Sequence, residues 1–430
     1  MEILVILLIL LGLLFLRMPI YISLFLTGFL GLVIFTDLEL IFVAQTFVKK
    51  LENFSLLAIP FFILLGSIMV HGESANRLIR FARKLVSWLP GGLAITSVIS
   101  SAVFGALSGS SISTVVTIGG VMFPHLDRYK YPKDFSIGVV TSSAILGIIV
   151  PPSIIMIICA LTAGQSVIRL FAAGYLPALL IVLALCLYTY CVSARRGLGL
   201  AAMEPFDAKG LLSASWGALL PGLIVVVLFA GIYSGAFTIT EASVVSCIMA
   251  LIIEICFYRT IKFKDFYRLM ISAGLISGAL VITVSGAGVL SEYITIQGIP
   301  ERILDFSIQY IPNKMIFMIF TNILLLLVGT FIDPIGAIMI LVPILMPISG
   351  QFGIDPIHMC LVITVALGIG YITPPLGMLL YTASAITQKD FVFVARAIMP
   401  TLMVYIVALF VITFIPWLST LVPDLLFGKI

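Results

Sequence analysis

Charge is what this chain has least of. Only 10% of its 430 residues are Asp, Glu, Lys or Arg and 62% are hydrophobic, whereas soluble domains carry about 25% charged residues. So small a polar supply cannot cover a water-facing surface, which excludes a soluble globular protein and makes the chain an integral membrane protein. Histidine is scarce as well. His71, His125 and His358 stand alone and no HExxH occurs, so zinc hydrolysis lacks its ligand set. The six cysteines (Cys159, Cys186, Cys191, Cys247, Cys256, Cys360) have neither metal-ligand nor disulfide-framework spacing and read as small buried hydrophobes. No basic run is interleaved with aromatics, so the net charge of +4 concerns loop orientation rather than nucleic acid. Met1-Glu2 supplies no basic n-region and no small-residue cleavage signal follows, so the first apolar segment is expected to be retained.

What the chain does have is proline in two informative places. Pro151-Pro152 and Pro374-Pro375 lie 223 residues apart, each inside a stretch that otherwise reads as one membrane helix. Proline lacks the N–H that a helix needs and clashes with the preceding turn, so each pair must break its helix. Broken backbone at membrane depth survives only where protein or a water-filled cavity surrounds it, and two equivalent breaks point to a transport site. The same offset aligns Pro124 with Pro347, Gly147 with Gly370, Ala160 with Ala383 and Gln165 with Gln388. The chain therefore carries an internal repeat.

A membrane span needs about 20 apolar residues. Residues 19–36, 53–72, 170–192, 215–234, 240–258, 271–292 and 392–416 qualify, with 2–16 as a short first span and 134–165 and 356–387 as the interrupted ones. Stretches 91–126 and 315–349 do not fit. Each divides into two apolar arms of about 15–17 residues around a tip, Ser108-Gly109-Ser110-Ser111 in one and Gly329 to Pro334 in the other. Two crossings would leave nothing for the turn, so both are expected to be re-entrant hairpins.

With that layout, 17 of the 23 lysines and arginines fall on one face of the membrane, among them Arg17, Arg77, Arg80, Arg83 and Lys84. The other face holds six: Lys49, Lys50, Arg169, Arg302, Lys314 and Lys429. Basic loops mark the cytoplasm, so the two hairpins open to opposite sides and the repeat is inverted. Trp88 and Trp216 then belong to the inner interface and Trp417 to the outer one. Residues 74–87 and 300–311 are amphipathic. Leu78, Phe81, Ala82 and Leu85 oppose Arg77, Arg80, Arg83 and Lys84 in the first, and Ile303, Leu304, Phe306 and Ile308 flank Glu301, Arg302 and Asp305 in the second. They read either as surface connectors or as arms framing a mobile unit.

Four interrupted helices present unpaired carbonyls and helix-start N–H groups to one region, the carbonyls suiting hard cations and the N–H groups anions. Ser110, Ser111, Ser113 and Thr114 begin the second arm of hairpin one, with Pro152 placed as a first helical residue. Gly336 and Pro375 play the matching parts in half two. Asp333 alone among ten aspartates sits at a hairpin tip. A charge at that depth costs several kcal/mol unless it is paired or coordinating, which favours a cation ligand over a protonated structural carboxyl. Thr373 offers a hydroxyl where its repeat partner is Val150. Glu241, in Thr238-Ile239-Thr240-Glu241, reads as a helix cap at the outer interface.

The runs FGALSGSSISTVV, YPKDFSIGVVTSSAILGIIVPPS, LLAIPFFILLGSIM, TITEAS, GTFIDP and GIGYITPPLG together resemble the large membrane subunit of tripartite ATP-independent periplasmic (TRAP) transporters. The likeness covers essentially the whole chain. It implies an all-α, polytopic, elevator-type protein of the ion transporter superfamily in the bacterial inner membrane, with sodium as coupling ion and no cofactor. It also implies uptake of an organic acid (a C4-dicarboxylate, sialic acid or another sugar acid) handed over by a periplasmic substrate-binding protein. A small four-helix membrane subunit, expected as a separate chain, completes the system. Family sodium positions fall on Ser110, Gly329, Asp333 and Thr373. The wider candidate cation set is Ser108, Gly109, Ser110, Ile149, Val150, Gly329, Asp333, Pro334 and Thr373, the first break ligating through backbone carbonyls. The candidate substrate set is Ser111, Ser113, Thr114, Ser153, Gly336 and Thr373. The expected division is scaffold and first arm in 1–90, transport halves in 91–165 and 315–387, scaffold and second arm in 166–314, and a C-terminal membrane helix in 388–430.

Two other readings stay open on the sequence. A stand-alone sodium/carboxylate symporter would share the hairpins without needing a binding protein. An intramembrane aspartyl protease would use Asp333, but its dyad needs two carboxylates in close contact, and no second Asp lies at membrane depth.

Overall fold

The computed structural model describes residues 2–16 and 18–428; Met1, Arg17 and Lys429 of the sequence argument lie outside the described residues, as do the side chains of Phe306 and Ile308. Every element in that range is helical. The chain opens with α1 (Glu2–Phe15), α2 (Ile20–Phe35), α3 (Leu40–Leu51), α4 (Ala58–His71) and α5 (Ser74–Val86). Two helices joined at Gly109-Ser110 follow, α6 (Gly92–Ser108) and α7 (Ser111–Arg128). The first interrupted span comprises α8 (Lys133–Ser143), a single turn α9 (Leu146–Ile149) and, beyond the proline pair, α10 (Ile154–Thr162), bent by 43°. Long helices α11 (Val167–Arg196), α12 (Ala208–Tyr233), α13 (Ile239–Ile252, ending in a π-helical turn) and α14 (Phe263–Ile296) lead to α15 (Ile299–Tyr310). The second half repeats the pattern with α16 (Lys314–Phe331), α17 (Pro334–Gln351), α18 (Pro356–Gly370) and α19 (Met378–Thr387), and closes with α20 (Phe391–Phe414) and α21 (Trp417–Phe427).

The 223-residue offset survives in three dimensions: it carries Ser111–Arg128 onto Pro334–Gln351 residue for residue, and α8 starts at Lys133 where α18 starts at Pro356. It also relates α4 and α5 to the end of α14 and to α15. Single prolines at 177, 221 and 400 stay inside their helices. The doubled prolines interrupt theirs, and Val150, just before the first pair, is extended (ψ 122°), as a residue preceding proline prefers. Both pairs are joined by a cis peptide bond.

Several expectations change. Residues 40–51 form a helix that no span window finds, because its 12 residues reach only about 18 Å. Residues 388–430 hold two helices rather than one. The hairpin arms are 17 or 18 residues long, somewhat longer than expected, and by length and composition each arm of the second could itself cross a membrane. The second tip is shorter than Gly329 to Pro334, since α16 continues to Phe331 and leaves only Ile332 and Asp333 outside helix. Pro152 and Pro375 are not first helical residues. The residues capping α10 and α19 are Ser153 and Gly377, and the prolines lie before them, in a bend at the first break and a turn at the second. Of the cysteines, Cys159, Cys247 and Cys360 are buried, but Cys191 and Cys256 are exposed. These two lie on outward faces near the ends of their helices rather than in the packed interior.

Two packed groups result. In one, α14 lies along α2, α3 and α4, while α12 and α13 pack on α5 and α4. Gly28 lets α2 meet α14 backbone to backbone; a Cβ there would stand 2.4 Å from the Leu290 nitrogen. Such small-residue contacts are how helices associate without a hydrophobic force between them. In the other group α18 is the axis. Ile357 to Ile369 are almost wholly buried among α9, α10, α16, α17 and α20. The two interrupted spans touch there, with the Cys159 thiol 3.5 Å from the Cys360 carbonyl.

Candidate functional site

Tip one is built by local chain chemistry. Gly109 ends α6 in the left-handed region (φ 59°), and Ser110, in extended conformation, caps α7 by accepting from the Ser113 N–H at 3.4 Å. Such a cap suits serine, whose hydroxyl satisfies a helix-start donor. The Ser110 carbonyl accepts the Thr114 hydroxyl at 2.7 Å, and the Ser108 hydroxyl lies 3.4 Å from both Ser110 O and Thr114 Oγ1. Three oxygens thus cluster at the tip, those of Ser108 and Thr114 buried. They meet the first helix break directly: a Cβ on Gly147 would stand 2.7 Å from Ser110 O, and one on Gly109 3.3 Å from Pro152 O.

Tip two uses a different residue for the same task. Asp333 caps α17, its Oδ1 accepting from Ile335 N at 3.0 Å and Gly336 N at 3.2 Å, with Pro334 at the first helical position. Oδ2 takes neither bond. An acid at a helix N-terminus followed by proline is a favourable start. The second tip is tied to the second break by the Gly377 N–H, which donates to Thr330 O at 3.2 Å. Matching glycine crossings close both halves. A Cβ on Gly105 would meet Gly147 Cα at 2.7 Å, and one on Gly370 would meet Gly329 Cα at 2.6 Å.

Between the tips lies a cavity of about 410 Å³. Ser108, Gly109, Ser110, Ser111 and Ser113 line it from tip one, Asp333, Pro334 and Ile335 from tip two, and Ile148, Ile154 and Ile155 from the first break. Tyr371 contributes from the second break, and Gly66, Ser67, Ile276 and Leu280 form the facing wall on α4 and α14. The sequence had named none of that facing wall.

The remaining candidates stand outside the wall. Thr114 and Ser153 are buried behind it, the Thr114 hydroxyl spent on Ser110 O and the Ser153 hydroxyl unpartnered. Gly336 has its N–H taken by Asp333 and its Cα face against Ile20, so it offers no donor to an anion. The Thr373 hydroxyl donates to Ile369 O at 2.8 Å. Ile149 and Val150 are positions at the first break and Gly329 lies in α16 against Gly370; none of the three is cavity surface. Glu241 does cap its helix, in a reciprocal box with Thr238.

One functional-looking residue escaped the sequence argument. Glu254 is completely buried, and its carboxylate accepts from the Glu73 and Ser74 backbone N–H groups at 2.9 Å each and from the Ser74 and Thr260 hydroxyls at 2.5 Å. It caps the arm helix α5 from a different helix. The signal was there: a lone acid in the apolar run Leu251-Ile252-Ile253-Glu254-Ile255-Cys256-Phe257.

Residues 7–418 match the family model described as tripartite ATP-independent periplasmic transporter, DctM component. The chain belongs to that family. Among curated TRAP proteins it is 36% identical to the C4-dicarboxylate TRAP transporter large permease protein DctM of Pseudomonas aeruginosa, over 94% of each chain. It is 31% identical to the sialic acid TRAP transporter large permease protein SiaM of Vibrio cholerae, over 97% of each. Among solved structures, the Alcanivorax borkumensis YdaH transporter shares the fold, with a TM-score of 0.64 over 89% of this chain and 90% of that one at 13% identity. As a TRAP large permease the chain is a multi-pass inner-membrane transport protein, not an enzyme. The protease reading of Asp333 falls with that, and no second carboxylate lines the cavity among the described residues.

Proposed function

We propose that this TRAP large permease carries an organic acid inward coupled to sodium, the acid being delivered by a periplasmic binding protein and the permease standing beside a small membrane subunit. A C4-dicarboxylate, sialic acid or another sugar acid is the substrate class that the relatives' names favour. The observation that carries the reading is the single cavity shared by both tips and the first break, serine-rich at the start of α7 and acidic at Asp333. Its volume is in the range of small-ligand sites. Oxygen-rich backbone and a carboxylate suit sodium, while the α7 N-terminus suits a carboxylate. Coupling follows from charge. An unneutralised Asp333 repels an incoming acid, so a sodium ion bound there favours the acid, and the acid favours the ion by the same amount.

The contact of each tip with a helix break supports re-entrant hairpins, since a break near the middle of a spanning helix lies near the middle of the bilayer. The interlocking of the repeat halves around α18 supports their moving as one body, 91–165 with 315–387, against α2–α5 and α12–α15. Helix α20 belongs with that body, because Tyr405 donates to Ser142 O at 2.8 Å and Gly138 leaves no room between α8 and Ala397. The test is uptake into proteoliposomes holding both membrane subunits, with the cognate binding protein and a panel of sugar acids and dicarboxylates outside. Accumulation should require an inward sodium gradient and the binding protein. Equal uptake without sodium sinks the coupling, and uptake by the large permease alone favours a stand-alone symporter.

A further inference from the structure

The amphipathic helix α5 and the first turns of α12 enclose a cleft of about 690 Å³ that shares no lining residue with the cavity between the tips. Its walls are Arg77, Arg80, Arg83 and Lys84, against two lining carboxylates, Glu204 and Asp207. These cations are unequal. Arg83 and Lys84 share Glu204 at 2.5 and 2.9 Å, and Arg80 is paired with Glu73. Arg77 has no carboxylate within 4.0 Å among the described residues. Its guanidinium lies 4.0 Å above the Tyr258 ring, one end reaches Gly217 O at 3.4 Å, and its buried Nε has no acceptor. Asp207 is occupied as the cap of α12, accepting from Gly210 N at 2.9 Å. The cleft is thus cationic: four basic side chains line it against two carboxylates, and Arg77 is left without an acidic partner among the described residues, which suits an anion.

The floor tells which anion. Gly210, Ser213, Ala214 and Gly217 recur at three- and four-residue spacing, so one stripe of α12 is small and keeps the cleft open. The adjacent stripe is large, apolar and uncovered: Leu212, Trp216 and Leu219 are 62%, 69% and 53% exposed. A soluble phosphate has no use for that stripe, whereas a lipid places its phosphate in the cleft and its chains along it. Basic pockets at helix ends on the cytoplasmic face meet a leaflet rich in anionic lipid. We propose that the cleft seats the phosphodiester headgroup of an anionic phospholipid, which pins arm helix α5 to α12.

The full chain in nanodiscs of phosphatidylcholine doped with diazirine-bearing phosphatidylglycerol provides the test. Photolysis should label residues 74–88 and 208–219, and label confined to other segments overturns the assignment. Excess inorganic phosphate should leave the labelling intact; its complete displacement would make the site one for soluble phosphate. Arg77→Gln with Arg80→Gln should lower phosphatidylglycerol retention, read by native mass spectrometry, by roughly fivefold per charge removed. Lys264→Gln with Arg268→Gln, outside the cleft, serves as the control, and an equal drop there would reduce the effect to general surface charge. Should the double variant lose its fold, the labelling pattern of the unaltered chain still decides.

Discussion

Replacing Asp333 separates two jobs that the structure gives to one side chain. Its Oδ1 caps α17 through Ile335 and Gly336, and the residue also lines the cavity. Asparagine caps a helix about as well as aspartate, so Asp333→Asn should leave the fold nearly unchanged, whereas Asp333→Ala forfeits about 0.5–2 kcal/mol of capping. The charge is another matter. A unit charge acting on a cation at about 4 Å is worth about 4 kcal/mol at an effective dielectric of 20, much of it offset by desolvation. Even a third of that is a tenfold change in an equilibrium constant. Asp333→Asn should therefore raise the sodium concentration for half-maximal uptake about tenfold. Asp333→Ala should do the same and also lower the melting temperature. The assay is a sodium titration of uptake in proteoliposomes, with thermal unfolding of the same preparations in detergent. If Asp333→Asn keeps its sodium dependence and rate, the carboxylate is a cap and nothing more, and the cation assignment is wrong.

Gly147→Ala places a methyl 2.7 Å from Ser110 O, a backbone atom that cannot swing away; overpacking of this kind costs about 1–3 kcal/mol. Uptake should fall more than stability, because the displaced atom belongs to tip one, and unchanged uptake would show that tip one tolerates movement. In a background without the native cysteines, single cysteines at positions 130 and 200 should label from the cytoplasm and one at 353 from outside; labelling of 130 and 353 from one side would end the inverted arrangement. The Glu204 carboxyl, outside the membrane helices, is held below the usual glutamate range by its hydrogen bond to Lys84 and by the Arg83 charge. A carboxyl so depressed stabilises fully above the ordinary value of about 4.3 and loses that contribution as pH falls through the depressed one. Amide exchange in residues 200–207 should be flat between pH 7 and 5, once corrected for intrinsic rates, and quicken only below the ordinary range. Faster exchange on raising the pH from 5 to 7 would contradict that sign.

Much of this molecule follows from local rules. The doubled prolines, the 223-residue repeat and the amphipathic faces of residues 74–87 and 300–311 are covalent or periodic facts. They placed the breaks, the paired helices on either side of each tip and both amphipathic helices within a few residues. Tip residues were legible for the same reason: Gly109, Ser110 and Asp333 are where they are because a chain turning between helices needs a left-handed position and a cap. What the sequence could not determine is which faces meet. Thr114, Ser153 and Thr373 have the right chemistry, yet each hydroxyl points to its own helix or into packing, and only the crossing of helices at Gly105–Gly147 and Gly329–Gly370 settles that. The facing wall on α4 and α14, the carboxylate that Glu254 lends to α5 and the cleft around Arg77 all join residues more than 100 positions apart. Composition and periodicity set which segments are helical and which are apolar enough to span a membrane. Side-chain partners across helices depend on rotation about each helix axis and on sub-ångström closeness of approach, and the packed structure alone fixes those.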